Sequence, residues 1–337
     1  MKFGVMLNHQ YLPEEDLAAR IDEGVESVEL IRDLGYDLLF SHHHFLANMQ
    51  TPQALPVLAH LVPYSGRMRL GIGVYIATLE HPVALAEHFA TLDVLSRGRL
   101  VWGVGAGYRE DEFASFGIDM KTRLSRFYEA IDIVRRFWEG ETVDHDGKHF
   151  HIHGQKLSIR PVQRPRPPIW IGANAPGTIV KAARHGDTWL GSPNVKFRWA
   201  NGNLAAFKAE QERLGIDTAG REYPLVRELY IADTDEQARA EVHPYLWNEY
   251  SAFSSYDPIY KDYYEEMWEK AFLIGSPDTV AQKLELLAAG GWNTFIFRTD
   301  WARMPVEMMR RTATRFAQEV APRFSDSPGV AQAGGGS

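Results

Sequence analysis

The sequence predicts an α/β protein, an eight-stranded (β/α)8 TIM barrel with insertions. Eight short apolar stretches are each followed by a segment of helical periodicity, and eight such units in one chain favour a closed barrel over an open sheet. The apolar stretches are continuous rather than alternating, as in strands buried on both faces beneath a layer of helices. A length of 337 residues accommodates such a barrel as one domain.

In chain order, "KFGVML" (2–7) is followed by a helical pattern over about 15–34, and "DLLF" (37–40) by "PQALPVLAHLV" (52–62). "RLGIGVYIA" (69–77) leads to "PVALAEHFATLDVLS" (82–96), and "RLVWGVGAG" (99–107) to "RLSRFYEAIDIVRRFW" (123–138). "PPIWIGA" (167–173) precedes "TIVKAARHG", "DTWLG" (187–191) precedes "LAAFKAEQERLG", and "PLVRELYIA" (224–232) precedes "DEQARAEVHPYLW". The last unit is "SPDTVAQKLELLAAGG" (276–291), the strand "NTFIF" (293–297) and a closing helix over about 305–320. Ser276 is the expected N-cap of its helix, with Pro277 at the first helical position.

Two segments depart from the repeat inside a single domain spanning 1–322. Residues 140–166 alternate polar and apolar positions around Asp146-Gly147, a hairpin signal. Residues 243–273 are dense in Tyr, Phe and Trp, and form either a lid over the strand ends or a helix pair packed outside the barrel. The small-residue ending over 323–337 reads as a flexible tail.

Composition narrows the function. A net charge of −8 argues against a nucleic-acid surface, and no run approaches the roughly 18 apolar residues that span a bilayer. The start "MKFGVML" is too short for a signal peptide. With no cysteine there are no disulfides, thiolate metal sites or cysteine nucleophiles, which fits the cytoplasm.

Three motifs carry chemistry. "GVGAGYREDEF" (103–113) clusters glycines at a strand end, where they either admit a ligand to the backbone or relieve crowding as the barrel narrows. "IGANAPGTIVKAARHGD" (171–187) ends a strand and opens a helix at Ala175-Pro176-Gly177-Thr178. The free N–H groups of that helix start suit a phosphate, with Asn174 or Thr178 adding donors; an ordinary N-cap is the alternative. "FSHHHFLAN" (40–48) sets three histidines after a buried strand, where a metal site, a proton-handling site or plain solvation are the options. Consecutive residues on an extended segment point to alternate sides, so all three do not suit one ion, and His9, His81 and Asp300 are isolated candidates for further ligands.

Taken together these stretches resemble the bacterial luciferase-like flavin monooxygenase superfamily over about residues 1–322. "GYDLLFSHHHF" is similar to the family's Gly-aromatic-Asp…Glu-His-His-Phe segment, and "HPVALAEHFATLDVLSRGRLVWGVGAGY" to its His-Pro…Leu-Asp-x-x-Ser-x-Gly-Arg stretch. "MKFGVML", "DGKHF", "PRPPIWIGANAPGTIVKAARHGDTW" and "FAQEVAPRF" also resemble family signatures.

The resemblance implies an eight-stranded barrel that binds reduced FMN at the strands' C-terminal ends, usually as a homodimer. A separate reductase would supply the flavin, and oxygen would convert it to a hydroperoxide that oxygenates an organic substrate. The aromatic insertion suggests an apolar or aromatic substrate. A deazaflavin-dependent hydride transfer is the runner-up, and a non-catalytic flavin-binding protein a second alternative. Aligned on Phe45, His43 falls on the functional histidine and His44 on its neighbour, while His42 replaces a glutamate. The resemblance places a non-prolyl cis peptide near Gly73–Val74. It brings Ala106, Gly107 and Tyr108 to the ribityl chain and phosphate, and Ala173, Asn174, Ala175, Gly177 and Thr178 to the phosphate itself. Arg123 or Arg126 would supply charge where Ala106 replaces an arginine. No metal is implied.

Overall fold

The structure is a computed structural model that describes residues 1–253 and 262–324. Strands β1 (Lys2–Leu7), β2 (Leu38–Ser41), β3 (Arg69–Ile72), β5 (Leu100–Gly105), β8 (Ile169–Gly172), β9 (Thr188–Leu190), β10 (Pro224–Ile231) and β12 (Thr294–Arg298) are the eight expected ones. They pair in parallel in the order β10-β12-β1-β2-β3-β5-β8-β9. Gly191 closes the ring: its N–H donates to Pro224 O at 3.0 Å and its carbonyl accepts from Val226 N at 2.9 Å. Short strands β4 (Tyr75–Ile76) and β11 (Leu273–Gly275) pair beside β5 and β10.

Helices α1 (Leu17–Asp33), α2 (Ala54–Leu61), α3 (Pro82–Leu95), α5 (Arg123–Glu139), α6 (Pro176–His185), α7 (Phe197–Arg213), α8 (Asp235–Phe253), α10 (Pro277–Ala289) and α11 (Val306–Arg315) lie close to their expected spans. Ser276 caps α10 as expected, accepting from Thr279 N, and Asp16 caps α1 by accepting from Ala18 N and Ala19 N. The closing helix is shorter than expected: after Arg315 the chain tightens into a π turn at Phe316–Val320 and a 3₁₀ turn at Ala321–Phe324. Phe324 is buried, so packing continues two residues past the expected boundary at 322; residues 325–337 of the expected tail lie outside the described residues.

The barrel interior is filled by Met6, Leu38, Phe40, Val101, Trp170, Leu190, Val226 and Ile296, with Val74 on top. Phe40 stacks on Trp170 with centroids 5.6 Å apart. Space for these large groups comes from glycine: a Cβ on Gly71 would sit 2.4 Å from the Phe40 ring, and one on Gly103 1.9 Å from Ile72 O. Crowding therefore accounts for Gly103.

The 140–166 segment contains an antiparallel hairpin of β6 (Val143–Asp146) and β7 (His151–Gln155). Glu129 on α5 pins it by accepting from the N–H groups of His149 and Phe150. In the 243–273 segment, the end of α8 and helix α9 (Tyr264–Lys270) frame residues 254–261, which lie outside the described residues. Trp247, Tyr250, Tyr264, Trp268 and Phe272 pack on one another, with Trp247–Tyr264 centroids 5.0 Å and Tyr250–Phe272 centroids 5.2 Å apart. Most of these aromatic rings are consumed by packing, so their number says little about the substrate.

Candidate active site

At the carboxyl ends of the strands lies a cavity of about 540 Å³, within the roughly 300–1,000 Å³ of small-molecule sites. Eleven of the twelve residues singled out from sequence line it: His43, His44, Gly73, Val74, Ala106, Gly107, Tyr108, Ala173, Asn174, Ala175 and Thr178. Gly177 does not line it, although it sits in the first turn of α6 beside Ala175. Among the lining residues are also Asn8, Gln10, His42, Arg123, Tyr128, Ser192, Glu249, Tyr250 and Arg298.

The floor is the segment between β3 and β4. The Gly73–Val74 peptide is cis, where the resemblance placed it. Val74 wedges between two strands that lack side chains opposite it: a Cβ on Gly105 would lie 2.5 Å from Val74 Cγ2, and one on Gly172 2.7 Å from Val74 Cγ1. Gly107 has φ +77°, the left-handed region that favours glycine, and turns the chain into the cavity wall.

The three histidines divide by side, as alternation along an extended segment requires. His42 and His44 lie 6.0 Å apart by ring centroid and both line the cavity. His43 stacks on Tyr75 at 4.1 Å and meets Phe45 edge-on at 4.6 Å. Its Nδ1 accepts the Ile76 N–H at 3.2 Å, which puts the ring proton on Nε2, 3.1 Å from Gln53 Oε1. Burial, helped by the charge of His44, pulls its pKa down to about 3. With both nitrogens engaged and the ring held neutral, His43 cannot exchange protons with a ligand. Its geometry is that of a brace for the β3–β4 segment, which corrects the role expected of it.

His44 has the arrangement expected of its neighbour. Its Nδ1 is 3.0 Å from Glu112 Oε1, and the same oxygen accepts Phe45 N–H at 2.8 Å. Glu112 is fully buried, so Nδ1 carries the proton and Nε2 is left on the cavity side, 3.4 Å from the Tyr108 hydroxyl. Glu112 sits on α4 (Glu110–Ser115), a short helix that sequence reasoning passed over as an acidic run. The available signal was Glu112-Phe113, an acid beside an apolar residue, in which Phe113 is buried and turns its neighbour inward.

At the α6 end the expected donors are partly spent. The Thr178 hydroxyl donates to Ala175 O at 2.7 Å, and Thr178 N to the same oxygen at 2.9 Å. The Ser192 hydroxyl donates to Asn174 Oδ1, which turns the Asn174 amide nitrogen away from Ser192. Arg123 lines the cavity, whereas Arg126 donates to Thr78 O at 2.9 Å and lies over the Phe150 ring, outside the cavity lining.

Behind the cavity is a buried charged cluster. Arg298 donates to Glu228 Oε1 at 2.9 Å and to Glu249 Oε1; Tyr250 and Trp301 donate to Glu228 at 3.0 Å each. Burial pushes the Glu228 carboxyl up to about 7 despite Arg298. Asp300, which accepts Asn8 N–H at 3.1 Å, is pushed up to about 7 by the same cause. Sequence reasoning did not find this cluster, because its members are scattered over four segments.

A closed parallel barrel with an extended cavity over its strand ends, a helix start at one end and an acid-held histidine on its wall, defines a barrel enzyme that acts on a bound small molecule. Residues 1–294 match the family described as luciferase-like monooxygenase, and the chain belongs to that family. It is similar to the oxygenase component of flavin-dependent trigonelline monooxygenase from Acinetobacter baylyi, with 24% identity covering 97% of this chain and 96% of the relative. Among solved structures it resembles monooxygenase RslO1 from Streptomyces bottropensis, with 26% identity, a TM-score of 0.88, and coverage of 96% of this chain and 100% of that one. The fold is shared with the oxygenating constituent of 3,6-diketocamphane monooxygenase of Pseudomonas putida, a type II Baeyer-Villiger enzyme in complex with FMN. That likeness has a TM-score of 0.80 at 20% identity and covers 96% of this chain and 98% of the other. The protein is a flavin-dependent oxidoreductase of the monooxygenase type. Among the described residues, no helix is long and apolar enough to cross a membrane.

Proposed function

We propose that this chain is the oxygenase component of a two-component system, taking reduced FMN from a separate flavin reductase and using oxygen to oxygenate a small organic substrate. The observation that carries the reading is the joining, in one cavity, of the α6 start, the Val74 floor and a histidine oriented by a buried carboxylate. The residues fit FMN: the first turn of α6 presents backbone N–H groups to an anion, and Arg123 lines the same cavity. Gly177 leaves open space above that turn, since a Cβ there would meet nothing within 4 Å.

When bound, the reduced isoalloxazine supplies the electrons that activate oxygen. The protein's part is positioning and proton handling. Val74 and the segment braced by His43 bound the cavity beneath the ring. His44, held through Nδ1 by Glu112, takes or returns a proton at Nε2. The pocket's apolar residues, among them Ile76, Leu124 and Phe127, keep bulk water from the reacting atoms.

Anaerobic titration with reduced FMN, oxidised FMN and a deazaflavin, followed by mixing with oxygen, tests the reading without a known substrate. Reduced FMN should bind more tightly than oxidised FMN and react with oxygen in the complex. Deazaflavin binding without FMN affinity would move the protein to the hydride-transfer alternative.

A further inference from the structure

One end of the cavity is formed by Asn8, Gln10, His42, Glu249 and Arg298, and the hydrogen bonds there run in a single direction. Arg298 donates to Glu249 Oε1. A carboxylate oxygen accepts, so Asn8 turns its amide nitrogen to Glu249, with Nδ2 at 3.4 Å from Oε2. The second proton of that nitrogen faces Gln10 Oε1 at 3.3 Å. Gln10 is thereby fixed with its oxygen toward Asn8 and its nitrogen toward His42, 3.3 Å from Nε2. An amide nitrogen only donates, so His42 Nε2 accepts and the ring proton resides on Nδ1. That Nδ1 is buried and has no partner. Burial, with the charges of His44 and Arg298 nearby, holds the ring neutral. A buried N–H with nothing to bond is costly, and it is tolerated where a ligand completes it.

We propose that His42 Nδ1–H donates a hydrogen bond to an acceptor atom of the molecule bound in the cavity, and that the relay Arg298–Glu249–Asn8–Gln10 holds the tautomer that makes this possible. A carboxylate, which resemblance led one to expect at this position, would only accept; this chain offers a donor instead. The ligand chemistry follows. The site suits a carbonyl, a phenolate or a ring nitrogen, and not an ammonium group. Two sources carry such an atom: the ring carbonyls of the flavin and an oxygen of the organic substrate. The identity of the ligand rests on the flavin-oxygenase reading, whereas the tautomer does not.

Nitrogen-15 NMR of the histidine-labelled, ligand-free protein reads the tautomer directly. His42 should be protonated at Nδ1, and Gln10→Glu, which sets an acceptor against Nε2, should move the proton to Nε2. FMN dissociation constants for His42→Phe, which removes the donor, and His42→Asn, whose amide nitrogen falls near Nδ1, locate the acceptor. With the acceptor on the flavin, His42→Phe weakens FMN about tenfold and His42→Asn recovers it. With the acceptor on the substrate, FMN affinity holds in both variants. The FMN-loaded wild type then prefers acetophenone to ethylbenzene by about tenfold, a preference lost in His42→Phe and regained in His42→Asn. The proposal is overturned by an Nε2-protonated His42 in the wild type, or by FMN affinity and ketone preference both indifferent to His42→Phe. A wild type that binds no FMN sinks the flavin reading and leaves the tautomer result standing.

Discussion

Glu112 Oε1 lies 3.0 Å from His44 Nδ1 and receives the next residue's backbone N–H as well, so one buried carboxylate fixes both the ring and the chain that carries it. His43, one residue earlier, spends both ring nitrogens on Ile76 and Gln53. Adjacent histidines thus have opposite duties, and substitution separates them.

His44→Ala should reduce single-turnover oxygenation by about 10²–10⁴-fold, the usual worth of a positioned proton-transfer group, with FMN affinity nearly kept. Glu112→Gln should cost about tenfold, since an amide still accepts from Phe45 N–H but no longer stabilises a protonated ring. His43→Ala should instead lower thermal stability and loosen FMN, because it unpins Ile76 and Tyr75. Stopped-flow rates, FMN dissociation constants and melting curves on the three variants decide the matter. An inactive His43→Ala with full stability beside an active His44→Ala would reverse the assignment.

The phosphate reading makes a second comparison. Gly177→Pro removes a backbone donor from the first turn of α6, and Arg123→Ala removes a cation from the cavity wall. Both should weaken FMN by about tenfold while leaving riboflavin, which lacks the phosphate, within about twofold. Fluorescence titration with the two flavins reads this out; equal losses for both would put the phosphate elsewhere.

A third prediction concerns pH. The folded pKa of Asp300, about 7, lies above the ordinary carboxylate value, so its proton stabilises the folded state. That contribution is complete below about pH 4 and fades as pH rises through 7. Asp300→Asn keeps an acceptor for Asn8 N–H and removes the titration. In urea unfolding from pH 4 to 8, the wild type should therefore lose stability relative to Asp300→Asn as pH rises. Glu228 acts in the same sense, while His9 and His43, depressed to about 4 and about 3, act oppositely, which is why the difference between variants is the quantity to measure. A flat difference across that range would refute the assignment.

Much of the fold was legible because parallel strands buried on both faces write continuous apolar runs, and helices announce their starts, as Ser276-Pro277 does. The cavity wall was legible too, since Gly107 and the Ala175–Thr178 turn follow directly on strand ends. What stayed hidden depends on which way a side chain points. His43 and His44 are chemically alike in sequence, and only Gln53 and Glu112, 10 and 68 residues away, tell them apart. The Arg298 cluster escaped for the same reason: Glu228, Glu249 and Arg298 meet across the barrel mouth without any local spacing to betray them. Aromatic density over 243–273 misled in the other direction, because most of those rings pack on each other.

Gly191 joins the two ends of the sheet with only its own N–H and carbonyl, where β1 and β12 are paired from Lys2–Thr294 through Met6–Arg298. The ring is thus a band fastened by a narrow clasp. Leu190 to Asn194 on one side of that clasp and Val226 on the other both face the cavity, so an occupant touches the two free ends at once. Filling the cavity and keeping the band shut are then coupled equilibria: each molecule of cofactor seated there tightens the clasp, and each opening of the clasp loosens the cofactor. An enzyme that must take up its flavin and release it again in every cycle has, at Gly191, a hinge in the wall of the barrel that its own cofactor fastens.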